Sequence, residues 1–504
     1  MKIILKCTLI GLCFSLCVLP EISAQDQARI DALDAYIRHG VTEWEAPGFA
    51  VAIVKDGKIE LLSGYGVREL GNEAPVDEHT LFAIGSTTKA MTAAALGMLV
   101  DEEKLRWDDR VSDTLPGFRV ADPFVSREIT IRDLLTHRAG LPNADFLWYG
   151  QERSPEEILE KMRYVAQETS LRSAFTYQNI MYAAAGAVVA EVSGMAWEDF
   201  VRERIFVPLG MSRTIATAAT LGAQDNVAMP HYRIDGVVHV IENASVDAVA
   251  PAGSVWSSVS DMARWMRFLL EGETEDGVEL LSEETLEELF RPQTIVDADE
   301  FYPTQRFTKP HWMTYGLGWF QHDYEGRAVD FHTGSIDGMV ALHGLVRDER
   351  VGVYVLGNLD HAELRHAILY RVLDVYGKGE GRDWSADLLA FYGELSAAAQ
   401  ERALALEDER KAGTSPSHAL EAYEGSYSDR LYGAITVTQT DASTLRLNAG
   451  PGLSGEMTHW HHDVFRVSWD KRWRGTALVS FRLTTEGTVG SLEIGGASLN
   501  KASE

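Results

Sequence analysis

Read for the spacing of its apolar positions, the chain falls into three stretches. Phe49–Val54 and Ile59–Gly64 are short apolar runs joined at Lys55-Asp56-Gly57-Lys58, and an Asp-Gly pair between such runs predicts a β-hairpin. A second sheet-like block, Met339–Val346 and Val351–Leu356, turns at Arg347-Asp348-Glu349-Arg350. Between the blocks the period lengthens to that of a helix over Ala90–Val100, Ile180–Val192, Met262–Leu270 and Glu283–Phe290. Strands at both ends around a helical middle predict an α+β domain, with one antiparallel sheet closed by the two ends of the stretch.

After Gly377 the composition shifts to Ala, Glu and Leu from Trp384 to Lys411, which predicts one or two exposed helices, and Gly413-Thr414-Ser415-Pro416 breaks them. Short alternating runs follow at Ala434–Thr438, Leu445–Asn448, Val464–Trp469, Ala477–Leu483 and Val489–Ile494. They predict a small all-β domain, a barrel or half-barrel.

The start of the chain reads differently. Lys2 and Lys6 precede an apolar stretch from Cys7 to Leu19, then Ile22-Ser23-Ala24. This is the layout of a secretory signal peptide over residues 1–24. Lys6 interrupts the run, and what remains is shorter than the roughly 20 residues of a membrane-spanning helix. A periplasmic or secreted protein with no stable membrane span after cleavage is expected. Leu12 before Cys13 and Leu16 before Cys17 speak against lipidation. Cys7, Cys13 and Cys17 all lie inside the leader, so the mature chain needs no disulfide, cysteine nucleophile or Cys-ligated zinc. With 504 residues, 45% of them hydrophobic, there is room for two cores. A net charge of −29 argues against nucleic acid or an anionic membrane as partner; it reads as solubility and says little about the substrate.

The chemistry sits at Phe82-Ala83-Ile84-Gly85-Ser86-Thr87-Thr88-Lys89, which runs into Ala90–Val100, apolar except for Thr92. A helix apolar nearly all round is buried, so Ser86 and Lys89 in its first turn stand at the floor of a cleft. Three residues apart, they share a helix face. The helix N-terminus adds free N–H groups and partial positive charge, and a serine hydroxyl is a weak nucleophile until a neighbour takes its proton. Two further elements follow in order: Tyr177-Gln178-Asn179 ahead of a helix and His332-Thr333-Gly334 ahead of a strand.

These three motifs resemble the signatures of the penicillin-recognising serine hydrolases, the superfamily of class C β-lactamases, DD-peptidases, D-aminopeptidases and related esterases. Ile131-Arg132-Asp133-Leu134-Leu135-Thr136-His137-Arg138-Ala139-Gly140-Leu141-Pro142, Pro251-Ala252-Gly253 and Tyr315-Gly316-Leu317-Gly318-Trp319 support the likeness over roughly residues 30 to 375. The resemblance implies a β-lactamase-like hydrolase domain over residues 25–378, a helical linker over 379–415 and a lipocalin-like β domain over 416–504. It implies Ser86 as acyl-enzyme nucleophile, with Lys89 and Tyr177 relaying its proton. Asn179 would bond the acyl side of the substrate, and the N–H groups of Ser86 and Ser335 would form the oxyanion hole. His332, Thr333, Gly334 and Ser335 line the substrate, with no metal and no organic cofactor.

A free tyrosine has a pKa near 10, so Tyr177 serves as a base at neutral pH only if cations such as Lys89 favour its phenolate. Many β-lactamases carry lysine where this chain has His332. A histidine there is half-charged near neutral pH and is expected to hold a β-lactam carboxylate weakly, better near pH 6 than pH 8. His137 reads as structural. No Gly-x-Ser-x-Gly or His-Glu-x-x-His occurs. His459-Trp460-His461-His462-Asp463 is set aside as a metal site because His461 and His462 on an extended chain face opposite ways. The expected activity is hydrolysis of an ester or amide (peptide) bond in a small-molecule or peptide substrate. A β-lactamase or DD-carboxypeptidase is the enzymatic alternative; an acylated sensor or a silent scaffold is the non-enzymatic one.

Overall fold

The computed structural model describes residues 24–377, 379 and 381–502. The leader and its three cysteines, apart from Ala24, lie outside the described residues. Helix α1 (Ala24–Glu43) leads into the expected hairpin, β1 (Gly48–Lys55) and β2 (Lys58–Gly66). Helices α2 (Thr88–Asp101), α3 (Asn179–Ser193) and α4 (Val259–Glu271) follow, then the strands β3 (Thr294–Ile295), β4 (Met313–Tyr315), β5 (Phe320–Tyr324), β6 (Arg327–Ile336), β7 (Met339–Val346) and β8 (Val351–Gly357). The eight strands form one sheet in the order β2-β1-β8-β7-β6-β5-β4-β3. The pairing of its second and third strands, β1 and β8, joins the two ends of the domain, with Phe49 opposite Gly357 and Lys55 opposite Val351.

The sheet is covered on both faces, which is why β1 is apolar throughout rather than alternating. Ala50, Ala52 and Val54 pack with α2, α3 and α4. Phe49, Val51 and Ile53 face α1, helix α5 (Leu364–Tyr376) and the first turns of α6 (Trp384–Asp408). Helix α2 is buried almost all round, because helices lie on every side of it. Amphipathic α4 is capped by Ser258, whose side chain accepts from Asp261 N–H, and ends at Gly272, with φ of 82°. Among the described residues no single helix is long and apolar enough to cross a membrane.

The C-terminal strands Gly425–Asp429, Gly433–Gln439, Thr444–Asn448, Ser454–His461, Val464–Trp469, Thr476–Leu483, Val489–Ile494 and Ala497–Lys501 close into an eight-stranded barrel. Tyr427 opposite Lys501 completes the circuit. Its interior is filled by Tyr427, Met457, Phe465 and Phe481 among others. One expectation is corrected here: His462 leaves the strand in a left-handed turn, with φ of 47°, so its ring lies 5.7 Å from that of His461 rather than opposite it. No group of three potential metal-ligating side chains occurs among the described residues.

Candidate active site

Ser86 sits on a tight turn, Gly85–Thr87, that feeds α2. The chain reaches this position through Gly85, whose φ of 53° favours glycine. A Cβ on Gly85 would stand 2.7 Å from the Ser335 nitrogen, and one on Gly334 only 1.9 Å from the Ile84 carbonyl oxygen. Two glycines thus let the Ser86 turn lie directly on β6, beyond Phe331, where pairing with β5 ends. The backbone N–H groups of Ser86 and Ser335 are brought to one place, the requirement for stabilising an oxyanion. Ser335 itself is exposed at the rim.

Lys89, one turn on, is fully buried. Its Nζ donates to Ser86 Oγ at 3.0 Å, to Asn179 Oδ1 at 2.8 Å and to the Ala252 carbonyl at 2.8 Å, which accounts for all three ammonium protons. Burial pushes its pKa down to about 7, against an opposing pull from Asp145. At neutral pH a large share of the molecules therefore carries Lys89 as a free amine. Tyr177 covers the ammonium, 4.9 Å from Nζ to ring centre. Burial raises its pKa well above the ordinary value, against the lowering effect of a hydrogen bond from Ser86. Tyr177 therefore stays a phenol at neutral pH, so the condition for its acting as a base, a phenolate favoured by nearby cations, is not met, and the group with the accessible base form is Lys89.

Asn179 opens α3, and both ends of its amide are occupied. Its Nδ2 donates to Asp145 Oδ1 and Oδ2 at 3.2 and 3.1 Å while its oxygen faces Lys89. Asp145 was not singled out from the sequence: it opens a single 3-10 turn, Asp145–Leu147, after Leu141-Pro142-Asn143-Ala144, where no periodicity marks it. It fixes Asn179 and supplies the negative charge that partly offsets the burial of Lys89.

The stretch Ile131–Pro142 works one layer out. Thr130 and Asp133 form a reciprocal cap on a short helix, and buried Asp133 also takes Arg138 at 2.8 Å and Arg172 at 2.6 Å. This clamp holds His137 in a left-handed conformation, φ 55°, with its ring 4.3 Å from that of Tyr177 and Nδ1 accepting from Gln178 N–H at 3.0 Å. Burial keeps His137 uncharged. Its role is to anchor the backbone next to Tyr177, in line with the structural reading.

His332 departs from expectation. It points to the same side of β6 as Gly334, but Tyr177, Tyr315 and Phe320 cover its ring, leaving it 1% exposed. Nδ1 meets the Thr333 carbonyl at 2.6 Å and Nε2 the Tyr315 hydroxyl at 3.0 Å. Burial, with Lys89 nearby, pushes its pKa down to about 3. The imidazole is neutral at physiological pH and both nitrogens are engaged, so it presents no half-charged group to a carboxylate. Thr333 Oγ1 is likewise engaged, with the Tyr302 hydroxyl at 2.6 Å.

Arg365, at the start of α5, is a further residue the sequence did not reveal. Fully enclosed, it donates to the Gly334 carbonyl at 2.8 Å, Ser335 Oγ at 3.0 Å and the Ala341 carbonyl at 3.3 Å. Glu363 neutralises it at 3.0 Å and also takes His366 Nδ1 at 2.7 Å. Arg365 thus fixes the part of β6 that carries the Ser335 N–H.

A cleft of about 510 Å³, with a mixed polar and apolar lining, extends from Ser335. Its far wall is the barrel: Trp473 Nε1 donates to Asp337 at 2.9 Å, and Arg474 lies 3.6 Å from the same carboxylate. Tyr149, on the Asp145 loop, donates to the other Asp337 oxygen at 2.6 Å.

The family described as Beta-lactamase matches residues 33–378, and a domain of unknown function, DUF3471, matches 409–501. The unguisins hydrolase ungD of Aspergillus violaceofuscus is 28% identical over 81% of this chain and 76% of its own length. Penicillin-binding protein 4 of Amycolatopsis lactamdurans is 30% identical over 68% of this chain and 86% of its own. Among solved structures, the octameric penicillin-binding protein homologue from Pyrococcus abyssi superposes with a TM-score of 0.60 at 22% identity, covering 94% of this chain and all of that one. SurE with D-Leu gives 0.55 at 20%, with the same coverage.

Proposed function

For a chain that belongs to the beta-lactamase family, we propose hydrolysis of an ester or amide bond through an acyl-enzyme on Ser86. The carrying observation is the buried Lys89 with its Nζ 3.0 Å from Ser86 Oγ and a pKa brought down to about 7. In its amine form Lys89 accepts the Ser86 proton as Oγ attacks the carbonyl carbon. The oxyanion forms against the N–H groups of Ser86 and Ser335. Lys89 then holds the proton, and Tyr177, still a phenol, passes one to the leaving alkoxide or amine and recovers it from Lys89. Water repeats the sequence on the acyl-enzyme, with Lys89 again taking the proton and Ser86 leaving protonated. No metal or organic cofactor enters these steps.

Hydrolase chemistry is supported by one relative described as a hydrolase of unguisins, and the penicillin-recognising alternative by one described as a penicillin-binding protein. Efficient β-lactamase action is disfavoured, because neutral His332 replaces a permanent charge. Export rests on the leader alone.

The test is a fluorophosphonate probe, which should label the wild type and leave Ser86→Ala unlabelled. Turnover of p-nitrophenyl esters, D-amino-acid anilides and a chromogenic cephalosporin then ranks the substrates. Labelling of the variant at another serine removes the assignment, and a labelled protein that never turns over would favour the acylated sensor.

A further inference from the structure

We propose that Trp473, a barrel residue, is a positioning residue for the hydrolytic site: acting through Asp337, it holds the Ser335 N–H in place, so that turnover depends on the docked barrel. The proposal rests on Ser86 as the nucleophile and the Ser335 N–H as an oxyanion donor. Strand β6 loses its neighbour β5 after Phe331, and from there to the turn β7 is its pairing partner. The pairing ends with Ser335 opposite Val340 and Ile336 opposite Met339, which leaves Asp337 and Gly338 as a two-residue turn. A turn this short fixes the register of its strands, so a shift at either residue reaches Ser335 directly.

The hydrolase domain fixes the Gly338 half of the turn. Gly338 N–H donates to Asp360 Oδ1 at 3.1 Å, and the Gly338 carbonyl accepts from His231 N–H at 3.2 Å. A Cβ on Gly338, at φ 80°, would stand 2.6 Å from Pro230. The Asp337 half is held across the domain boundary. Its carboxylate is nearly enclosed, 11% exposed, so both oxygens need donors. Tyr149 serves Oδ1 at 2.6 Å, while Oδ2 takes Trp473 Nε1 at 2.9 Å and lies 3.6 Å from Arg474 Nη2. An N–H donated to an ionised carboxylate is among the stronger hydrogen bonds, and the indole has a single donor in a fixed direction. Trp473 therefore sets where the Asp337 side chain points.

Trp473 belongs to a strap, Lys471-Arg472-Trp473-Arg474, between the barrel strands Val464–Trp469 and Thr476–Leu483. Each of its four residues meets a carboxylate of the hydrolase domain: Lys471 meets Glu242, Arg472 meets Asp235 at 2.6 Å, and the last two meet Asp337. The Arg472 pair is exposed on both sides and contributes little; the contact at Asp337 is the enclosed one. The same barrel face also grips the chain next to Tyr149, with Gly452 N–H on the Gly150 carbonyl at 3.1 Å and Gln151 Nε2 on the Ala449 carbonyl at 2.8 Å.

The test is steady-state hydrolysis of p-nitrophenyl acetate by full-length variants that keep a cooperative thermal transition. Trp473→Phe retains the ring and loses the N–H; its kcat should fall about fivefold or more with KM changed less than twofold, a part of the roughly 100–1,000-fold that removing an oxyanion donor costs. Asp337→Asn, which sets an amide donor against donors already in place, should fall at least as far, and it carries the test by itself should Trp473→Phe fail to fold. The double variant should stay within twofold of Asp337→Asn, because the two residues act as one unit. Arg472→Ala should keep the wild-type kcat. Wild-type kcat in the folded Trp473→Phe or Asp337→Asn, a raised KM with kcat unchanged, losses that multiply in the double variant, or an equal loss in Arg472→Ala overturns the positioning role. Fluorophosphonate labelling of wild-type Ser86 reads the nucleophile separately: with that label intact these outcomes overturn the role of Trp473 alone, and without it the Ser86 reading itself falls.

Discussion

Lys89→Met separates the electrostatics of the site from its packing. In the folded protein the Lys89 pKa falls from 10.5 to about 7. Between those values the unfolded chain binds a proton that the folded chain does not, so wild-type stability rises with pH across the window. The penalty is fully present below pH 7 and disappears as pH approaches 10.5. At 1.36 kcal/mol per pH unit, less the half-titration at pH 7, the wild type should gain about 2 kcal/mol on the Met variant between pH 7 and pH 9. Met also leaves Asn179 Oδ1 and the Ala252 carbonyl without their donor, at about 1–3 kcal/mol each, but that loss is the same at every pH and drops out of the comparison. Urea denaturation of both proteins at pH 7, 8 and 9 measures the difference, with Ser86→Ala as a control whose curve should run parallel to the wild type. Parallel curves for wild type and Lys89→Met would refute a depressed lysine.

The same depression predicts the rate profile: kcat/KM for p-nitrophenyl acetate should rise about tenfold per pH unit below pH 7 and level off above it, with no fall from Tyr177 up to pH 9.5. A plateau extending down to pH 5 would mean that Lys89 is not the base. Neutral His332 predicts that KM for a cephalosporin is unchanged between pH 8 and pH 6; improvement on acidification would restore a carboxylate-binding imidazole. Arg365→Met should cost about 3–5 kcal/mol by leaving Glu363 buried without its main partner, seen in urea melts. Its kcat should fall with little change in KM if the Ser335 N–H shifts.

The hairpin Gly48–Gly66, helices α2 and α3 and most barrel strands were legible because their periodicity is local. Ser86, Lys89, Tyr177 and Asn179 were legible through motif order, and the structure brings them together around one ammonium. What escaped depends on long-range contact. Helix α5 interrupts its apolar pattern with Arg365, His366, Arg371 and Asp374. The first two and Asp374 are buried, paying for enclosure with partners that no spacing announces. His332 failed differently: its burial and charge depend on Tyr177, Tyr315 and Phe320, which come from three separate segments. Three barrel strands were missed: Gly425–Asp429 and Ala497–Lys501, at the closure of the barrel, where Gly, Ser and Asn dilute the alternation, and Ser454–His461.

The pairing of Phe49 with Gly357 sets a clock on maturation. Strand β1 leaves the ribosome early, yet its central partner is about 300 residues away, a separation of roughly 15–60 s at 5–20 residues per second. Strand β6, which must lie against the Ser86 turn, also emerges late in that interval. Throughout this time the oxyanion donors are apart and Lys89 is solvated, so it keeps an ordinary lysine's proton and Ser86 stays unreactive. With Ser86 as the nucleophile proposed above, the reactivity of a nascent chain switches on only when the last sheet strands arrive.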